Sequence, residues 1–240
     1  CVPTPINEFS KIPNLNYVKE VILKLKTIDL SNKLIIFECT SYPGTTEEMF
    51  LPLVKQKKLV LGDKIFLGYS PEREDPGNPN FSLEKKNIPK VTSGFTNKCQ
   101  ELTSLVYKQI TKKIVEVNNI KTAEFTKLLE NIYRSINIGL INELSEISKK
   151  FNIDINESII AAKSKPFGFQ PFYPGPGVGG HCIPVDPHYL SWKAKKLGMD
   201  SKFIKLAGKI NDNRPDVIFK NIKKKLFQKK IPFKKILFIG

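Results

Sequence analysis

Leu34-Ile35-Ile36-Phe37-Glu38-Cys39-Thr40-Ser41-Tyr42-Pro43-Gly44-Thr45-Thr46-Glu47-Glu48 is the stretch on which the reading of the fold turns. Its first four residues form a continuous apolar run, the pattern of a strand buried on both faces as in a parallel sheet. The run stops at Glu38, and Pro43-Gly44 turns the backbone. Thr45 or Thr46 predicts a helix cap, with Glu47 and Glu48 placed at the positive end of the helix dipole and the helix running to about Lys58.

Outward from this unit the alternation continues. Leu15, Val18, Val21, Ile22 and Leu25 recur with a helical period, so 15–27 is predicted as a helix. The first five residues read as the end of a strand entering a loop. Further strands are predicted at 65–70, 89–93 and 114–117, with a helix over 97–112. Strands alternating with helices define an α/β domain with a mostly parallel sheet. Such sheets bind ligands beyond the carboxyl ends of their strands, where Thr4, Thr40 and Glu72 fall.

From Thr122 to about Phe151 the pattern changes. Phe125, Leu128, Leu129, Ile132, Ile136, Leu140, Leu144, Ile147 and Phe151 predict one long helix, a spine between domains or between subunits. A short helix is expected over 156–162 and others over 189–196 and 201–227, the last split in two at Pro215. Ile236 to Gly240 has the pattern of a buried strand. The expected organisation is therefore α/β: a mostly parallel sheet domain over residues 1–118, an all-helical region with one long helix over 119–230, and a further strand within 231–240.

Composition narrows the function classes. Thirty-nine Lys and Arg against 23 Asp and Glu give a net charge of +16. The lysines are dispersed, however, and only Arg73, Arg134 and Arg214 are arginines, which argues against a nucleic-acid reader. No apolar run approaches the roughly 20 residues of a membrane span, and the chain opens without a signal peptide. Four cysteines without CxxC spacing point to a reducing, cytoplasmic setting with neither a disulfide framework nor a metal site.

The chemistry concentrates in Pro174-Gly175-Pro176-Gly177-Val178-Gly179-Gly180-His181-Cys182-Ile183-Pro184-Val185-Asp186-Pro187, predicted as a rigid loop, neither helix nor strand. It surrounds one thiol, which fits a nucleophile mount as well as a buried structural cysteine. Lys127 and Asn131, four apart on the long helix, share one face. Each alone is an ordinary surface residue. Together with Cys182, Asp186 and Glu72 they make a set of parts: a thiol to attack a carbonyl, donors for the oxyanion, and carboxylates to activate water.

Four motifs occur in order: Glu38 to Thr46; Ser70-Pro71-Glu72-Arg73-Glu74-Asp75-Pro76-Gly77-Asn78; Lys127-Leu128-Leu129-Glu130-Asn131; and Gly177 to Pro187. In order and spacing they resemble the UDP-glucose/GDP-mannose dehydrogenase family over essentially the whole chain. The Gly-Gly-His-Cys form of the loop, with Lys165 to Tyr173 before it, looks closest to the branch of UDP-N-acetylglucosamine 6-dehydrogenases of surface-polysaccharide pathways. The UDP-glucose and GDP-mannose branches usually carry Gly-Gly-Ser-Cys.

The resemblance implies an NAD-dependent, four-electron oxidation of a sugar C6 alcohol to an acid. It implies Cys182 as nucleophile, Lys127 and Asn131 as oxyanion donors, Asp186 and Thr40 on the water, and Glu72 as acid/base in thioester hydrolysis. By the resemblance, residues 1–118 are the C-terminal part of a Rossmann-like NAD domain, 119–230 the central helical domain and 231–240 the first strand of a UDP-binding domain, and Val2, Pro3, Thr4, Glu38, Cys39 and Thr40 match cofactor-binding loops. Glu72, Arg73, Lys127, Asn131 and the segment Tyr173, Pro174, Gly175, Pro176, Gly177, Val178 and Gly179 match substrate-binding positions. It also implies a homodimer through the long helix, a UDP-sugar partner, and neither nucleic acid nor membrane. Against the family pattern, the Gly-x-Gly-x-x-Gly fingerprint, the ribose-binding acidic residue, the early strands and most of a UDP-binding domain are missing, so the chain is expected to be truncated at both ends and to have little activity alone. Alternatives are the same chemistry on UDP-glucose or UDP-N-acetylgalactosamine, a thiol hydrolase pairing Cys182 with His181 or His188, and a non-catalytic helical assembly module.

Overall fold

The computed structural model describes residues 2–7, 10–74, 88–180, 182–232 and 235–237. These form two compact units: Cys1–Ile132 with Val185–Ser201, and Tyr133–Pro184 with Lys202–Gly240. The division falls inside the long helix, after Ile132, whereas a boundary at 118 is expected from the sequence.

In the first unit the elements run α1 (Asn16–Leu25), β1 (Lys33–Phe37), α2 (Thr45–Gln56), β2 (Ile65–Tyr69), β3 (Lys90–Gly94), α3 (Asn97–Lys108) and β4 (Ile114–Glu116). The first part of α4 (Ile120–Lys150) and α6 (Asp186–Lys196) complete it. The sheet order is β1-β2-β3-β4. β1 pairs with β2 in parallel, Lys33 opposite Ile65 through Phe37 opposite Tyr69, and β3 pairs with β4 in parallel. β2 and β3 meet antiparallel at Gly68–Gly94 and Tyr69–Ser93, so the sheet is mostly but not wholly parallel. Phe37 packs its ring against Phe50 of α2 at 5.5 Å and Tyr69 of β2 at 5.9 Å, and Leu53, Ile65, Leu67 and Val91 close the core around them.

Two sequence expectations in this unit are corrected. Val2 to Pro5 form no strand; the first pairing is a single bridge between Ile6 and Pro13. Neither Thr45 nor Thr46 caps α2. Gly44 occupies the cap position with φ +98°, a backbone conformation that favours glycine, and no side chain of its own covers the orphan amides. Glu124 of α4 supplies the acceptors from across the fold. It takes hydrogen bonds from the Gly44 N–H at 2.5 Å, the Thr46 N–H at 2.8 Å and the Thr46 hydroxyl at 2.7 Å. The second threonine thus serves the cap as a donor, inside the helix.

The second unit contains the rest of α4, α5 (Ile155–Lys163) and α7 (Lys202–Gln228). Helix α7 is one helix, not two; Pro215 lies inside it. A proline there leaves the Asn211 carbonyl without its helical donor. That carbonyl faces Gly177, where an added Cβ would stand 3.6 Å from it, and Gly177 has φ +142°. The loop backbone therefore covers the proline site. Ile236 and Leu237 form no strand, and residues 238–240 of the strand expected there lie outside the described residues.

The apolar stripe of α4 is not the core. Leu128 and Ile132 are buried, but Phe125, Leu129, Leu140, Leu144 and Ile147 are exposed. The buried face carries Glu124, Lys127, Asn131, Ser135, Asn142 and Ser145. Helical periodicity locates a stripe but does not say which side meets the fold.

Burial pushes the Glu124 carboxyl up to about 7, against the pull of its three donors. The folded protein then binds more protons at this site than the unfolded chain between about pH 4.5 and 7, so this contribution to stability falls as pH rises through that window. Removing the acceptors by Glu124→Ala leaves the amides of the first turn of α2 unpaired, at a cost of about 2 kcal/mol. Hydrogen exchange at the Gly44 and Thr46 amides is expected to accelerate roughly 30-fold. Unchanged protection would contradict the capping role.

Candidate active site

The sheet ends collect the first group of residues. Glu38, Cys39 and Thr40 leave the carboxyl end of β1, and Glu72 follows β2 by three residues. Val2 is clasped to Cys39: the thiol donates to the Val2 carbonyl at 3.0 Å, and the Val2 N–H approaches Sγ at 3.4 Å. Burial pushes the Cys39 thiol up, which keeps it protonated and a donor. Tyr189 of α6 donates to the carbonyls of Thr4 at 2.9 Å and Pro5 at 3.3 Å. Val2, Thr4 and Cys39 are thereby held in place beyond the strands, with Pro3 exposed between them and Thr40 half-buried, where a dinucleotide meets such a sheet.

The second group sits on α4 and α6. Lys127 and Asn131 lie one turn apart, both buried, and the Asn131 side-chain amide donates to the Asp186 carboxylate. Asp186 belongs to α6, not to the loop as the sequence suggested. It is the first helical residue and Pro187 the second, positions that need no intrahelical N–H donor. Burial pushes Asp186 up to about 6, opposed by the Asn131 hydrogen bond and the Lys127 charge. A carboxylate poised there exchanges a proton near neutral pH.

Glu72 is shaped differently. One oxygen accepts the N–H groups of Arg73 and Glu74, both at 2.7 Å, and the other accepts from Lys90 Nζ at 2.8 Å. Burial opposes its charge, but these donors and the Lys90 charge outweigh burial and hold it below the usual carboxylate range. Arg73 makes a forked contact with Glu130, 2.5 and 3.3 Å, and donates to the Pro89 carbonyl at 2.9 Å. It thus ties the Glu72 segment to α4 next to Asn131.

Cys182 and the loop Tyr173–Gly179 belong to the second unit. Cys182 is exposed and unpaired with any other cysteine among the described residues; His181 lies outside them. The loop is gripped at Gly175, whose N–H donates to Asn142 Oδ1 at 2.9 Å and whose carbonyl accepts from Arg214 Nε at 2.9 Å. The buried Arg214 guanidinium also pairs with Glu146 at 2.8 Å. Burial works against the charge of Glu146, but hydrogen bonds from Lys149, Asn221 and Arg214 prevail and hold its carboxyl down at about 2. Pro176, Gly177, Val178 and Gly179 then wall a cleft of about 330 Å³ with Asn211, Asp212 and Pro215. Tyr173 is exposed and Pro174 half-buried.

Sequence reasoning missed Lys90, Glu124, Asn142, Tyr189 and Arg214. Only Lys90 left a signal, a lysine inside the short strand predicted at 89–93.

The NAD binding domain of the UDP-glucose/GDP-mannose dehydrogenase family matches residues 1–111, and the central domain of that family matches residues 121–213. The chain belongs to the UDP-glucose/GDP-mannose dehydrogenase family. It is 40% identical over 232 residues to the protein CapL of Staphylococcus aureus, covering 95% of this chain and 53% of that protein. It is 38% identical to a UDP-N-acetyl-D-glucosamine 6-dehydrogenase of Salmonella typhi, covering 96% of this chain and 53% of that one. Among solved structures, a UDP-D-ManNAc dehydrogenase from Pyrococcus horikoshii superposes with a TM-score of 0.86 at 30% identity, covering 96% of this chain and 53% of that one. The chain spans about half the length of the curated relatives it matches.

The grip on the glycine-proline loop is testable in the second unit. Arg214→Met keeps the apolar stem but removes the donors to Gly175 and Glu146, at a cost of about 2 kcal/mol. Faster proteolysis and amide exchange over 173–179 are expected in the full-length variant, with α1 unaffected. Wild-type protection of the loop would show that Arg214 does not hold it.

Proposed function

We propose that the protein carries out the NAD-dependent oxidation of the C6 hydroxyl of a UDP-N-acetylhexosamine to the uronic acid, in the cytoplasm, for surface polysaccharide synthesis. The observation that carries this reading is the buried Lys127–Asn131–Asp186 cluster, a cation and an amide beside a carboxylate on facing helices. NAD, when bound, accepts a hydride in each of two oxidations. The strand-end residues Val2, Pro3, Thr4, Glu38, Cys39 and Thr40 would hold it.

The remaining chemistry falls to the chain. First the alcohol is oxidised to the aldehyde, losing a hydride and a proton. The Cys182 thiolate then adds to the aldehyde carbon, and Lys127 and Asn131 stabilise the resulting oxyanion. Loss of a second hydride from that carbon leaves a thioester. Asp186 and Thr40 position water, Glu72 accepts its proton, and the C–S bond breaks to release the acid and the thiol. Arg73, Tyr173, Pro174, Gly175, Pro176, Gly177, Val178 and Gly179 would contact the nucleotide sugar. Relatives named for UDP-N-acetyl-D-glucosamine and for UDP-N-acetyl-D-mannosamine both support an N-acetylated hexosamine and leave two candidates for the C2 configuration.

The full-length protein is expected to form two NADH per sugar consumed with UDP-N-acetylglucosamine or UDP-N-acetylmannosamine, and Cys182→Ser to abolish acid formation. Two NADH with UDP-glucose alone would preserve the mechanism and overturn the choice of sugar. No NADH with any of them would remove the assignment.

The exposed apolar face of α4 supports a homodimer, the second copy covering Leu140, Leu144 and Ile147. Leu140→Lys combined with Leu144→Lys is expected to convert the sedimenting species to a monomer. A species of unchanged mass would place the contact elsewhere.

A further inference from the structure

Lys90 opens β3, and its side chain is 1% exposed. A buried ammonium is costly unless paired. Its partners come from the ends of two other strands. Nζ lies 2.8 Å from Glu72 Oε2, 3.9 Å from Glu38 Oε1 and 3.3 Å from the Pro71 carbonyl, and 5.1 Å from the centre of the Tyr107 ring. Tyr107 in turn donates to Glu38 Oε1 at 2.5 Å. One ammonium therefore links a residue of the cofactor loop to the carboxylate assigned to thioester hydrolysis.

The lone pairs of Glu72 show what this does. A carboxylate has about four acceptor sites. Two on Oε1 meet the Arg73 and Glu74 amides, and one on Oε2 meets Lys90. The site left over among the described residues is on Oε2, beside the ammonium, and the Glu72 side chain is 47% exposed, within reach of water.

We infer that Lys90 is a positioning residue for thioester hydrolysis: it fixes Glu72 Oε2 so that one acceptor site is presented to the attacking water. The inference rests on the proposed role of Glu72. The charged and titratable groups around Glu72 are Lys90 on β3, Glu38 after β1, Tyr107 on α3, and Arg73 and Glu74 on its own segment, with Glu130 of α4 engaged by Arg73. Burial alone would raise the Glu72 carboxyl; the Lys90 hydrogen bond leads the effects that lower it. Lys90 thus also favours the ionised form of Glu72, the form that accepts a proton.

A purely structural lysine would affect folding but not the pH dependence of one step. The test uses full-length protein with NAD and whichever of UDP-N-acetylglucosamine and UDP-N-acetylmannosamine it oxidises. Rapid mixing separates the first NADH from the slower hydrolysis. Lys90→Met is expected to keep the first NADH while moving the acid limb of hydrolysis to higher pH. Lys90→Arg is expected to restore the limb, and Glu72→Gln to abolish it. A limb lost in Glu72→Gln but unmoved in Lys90→Met overturns this inference alone. A limb unmoved in both overturns the role of Glu72 and this inference with it. Should Lys90→Met not fold, infrared titration of wild type against Glu72→Gln decides: ionisation of Glu72 below about 4.3 supports the inference, and ionisation at or above it overturns it.

Discussion

A buried carboxylate must be met by donors, and in this protein the donors that meet Glu124 are the first amides of another helix. The consequence runs through the first unit. Helix α2 has no side-chain cap of its own, so the turn that carries Cys39, Thr40 and Gly44 is fixed by α4. Three residues on, Lys127 takes the next turn of the same face, and Asn131 reaches Asp186 from the one after. Spacings of three and four keep these side chains in line. One helix face therefore sets the positions of the Gly44 turn, Lys127, Asn131 and, through Asn131, Asp186.

This arrangement reverses the usual amphipathic logic. The buried residues of α4 include a polar row that runs on through Ser135, Asn142 and Ser145, while Phe125, Leu129, Leu140, Leu144 and Ile147 of its apolar stripe are left exposed. Each inward polar group needs its partner, since an unpaired one costs more than its bond contributes. Asn142 meets the Gly175 amide, and Ser135 receives the Asn211 side chain at both its carbonyl, 3.0 Å, and its hydroxyl, 3.3 Å. Such a face specifies its neighbours by geometry where an apolar face would tolerate sliding.

The sequence made the local elements legible because they rest on local rules. The Leu34–Phe37 run, the period of α4 and the glycine-proline loop are each readable within a window of a few residues. Of the candidate site, one grouping was legible: Lys127 and Asn131 share a helix face, and Asp186 comes within bonding reach of Asn131. What escaped depended on partners distant in the chain. The cap of α2 lies 78 residues from Thr46 and 80 from Gly44, and Lys90 lies 18 residues from Glu72. Pro215 reads as a helix break until Gly177 is seen against the bond it leaves open. The inward face of α4 was left open for a related reason: periodicity gives a direction, and only the rest of the fold gives its sign.

The same contrast governs the acid–base chemistry. Asp186 and Glu72 are both carboxylates of the first unit, yet their surroundings move them in opposite directions. Asp186 is pushed up to about 6 by burial that one amide and one nearby ammonium only partly offset. Glu72 is also penalised by burial, but it keeps partial contact with water and gains a direct ammonium and two backbone amides, which hold it down. Carboxylates separated in this way divide roles: one exchanges a proton near neutrality while the other stays an acceptor. The division does not come from residue type, which is nearly the same. It comes from where α4 and β3 place their cations: Lys90 touches its carboxylate, whereas Lys127 acts on Asp186 through its charge without an ion-pair contact.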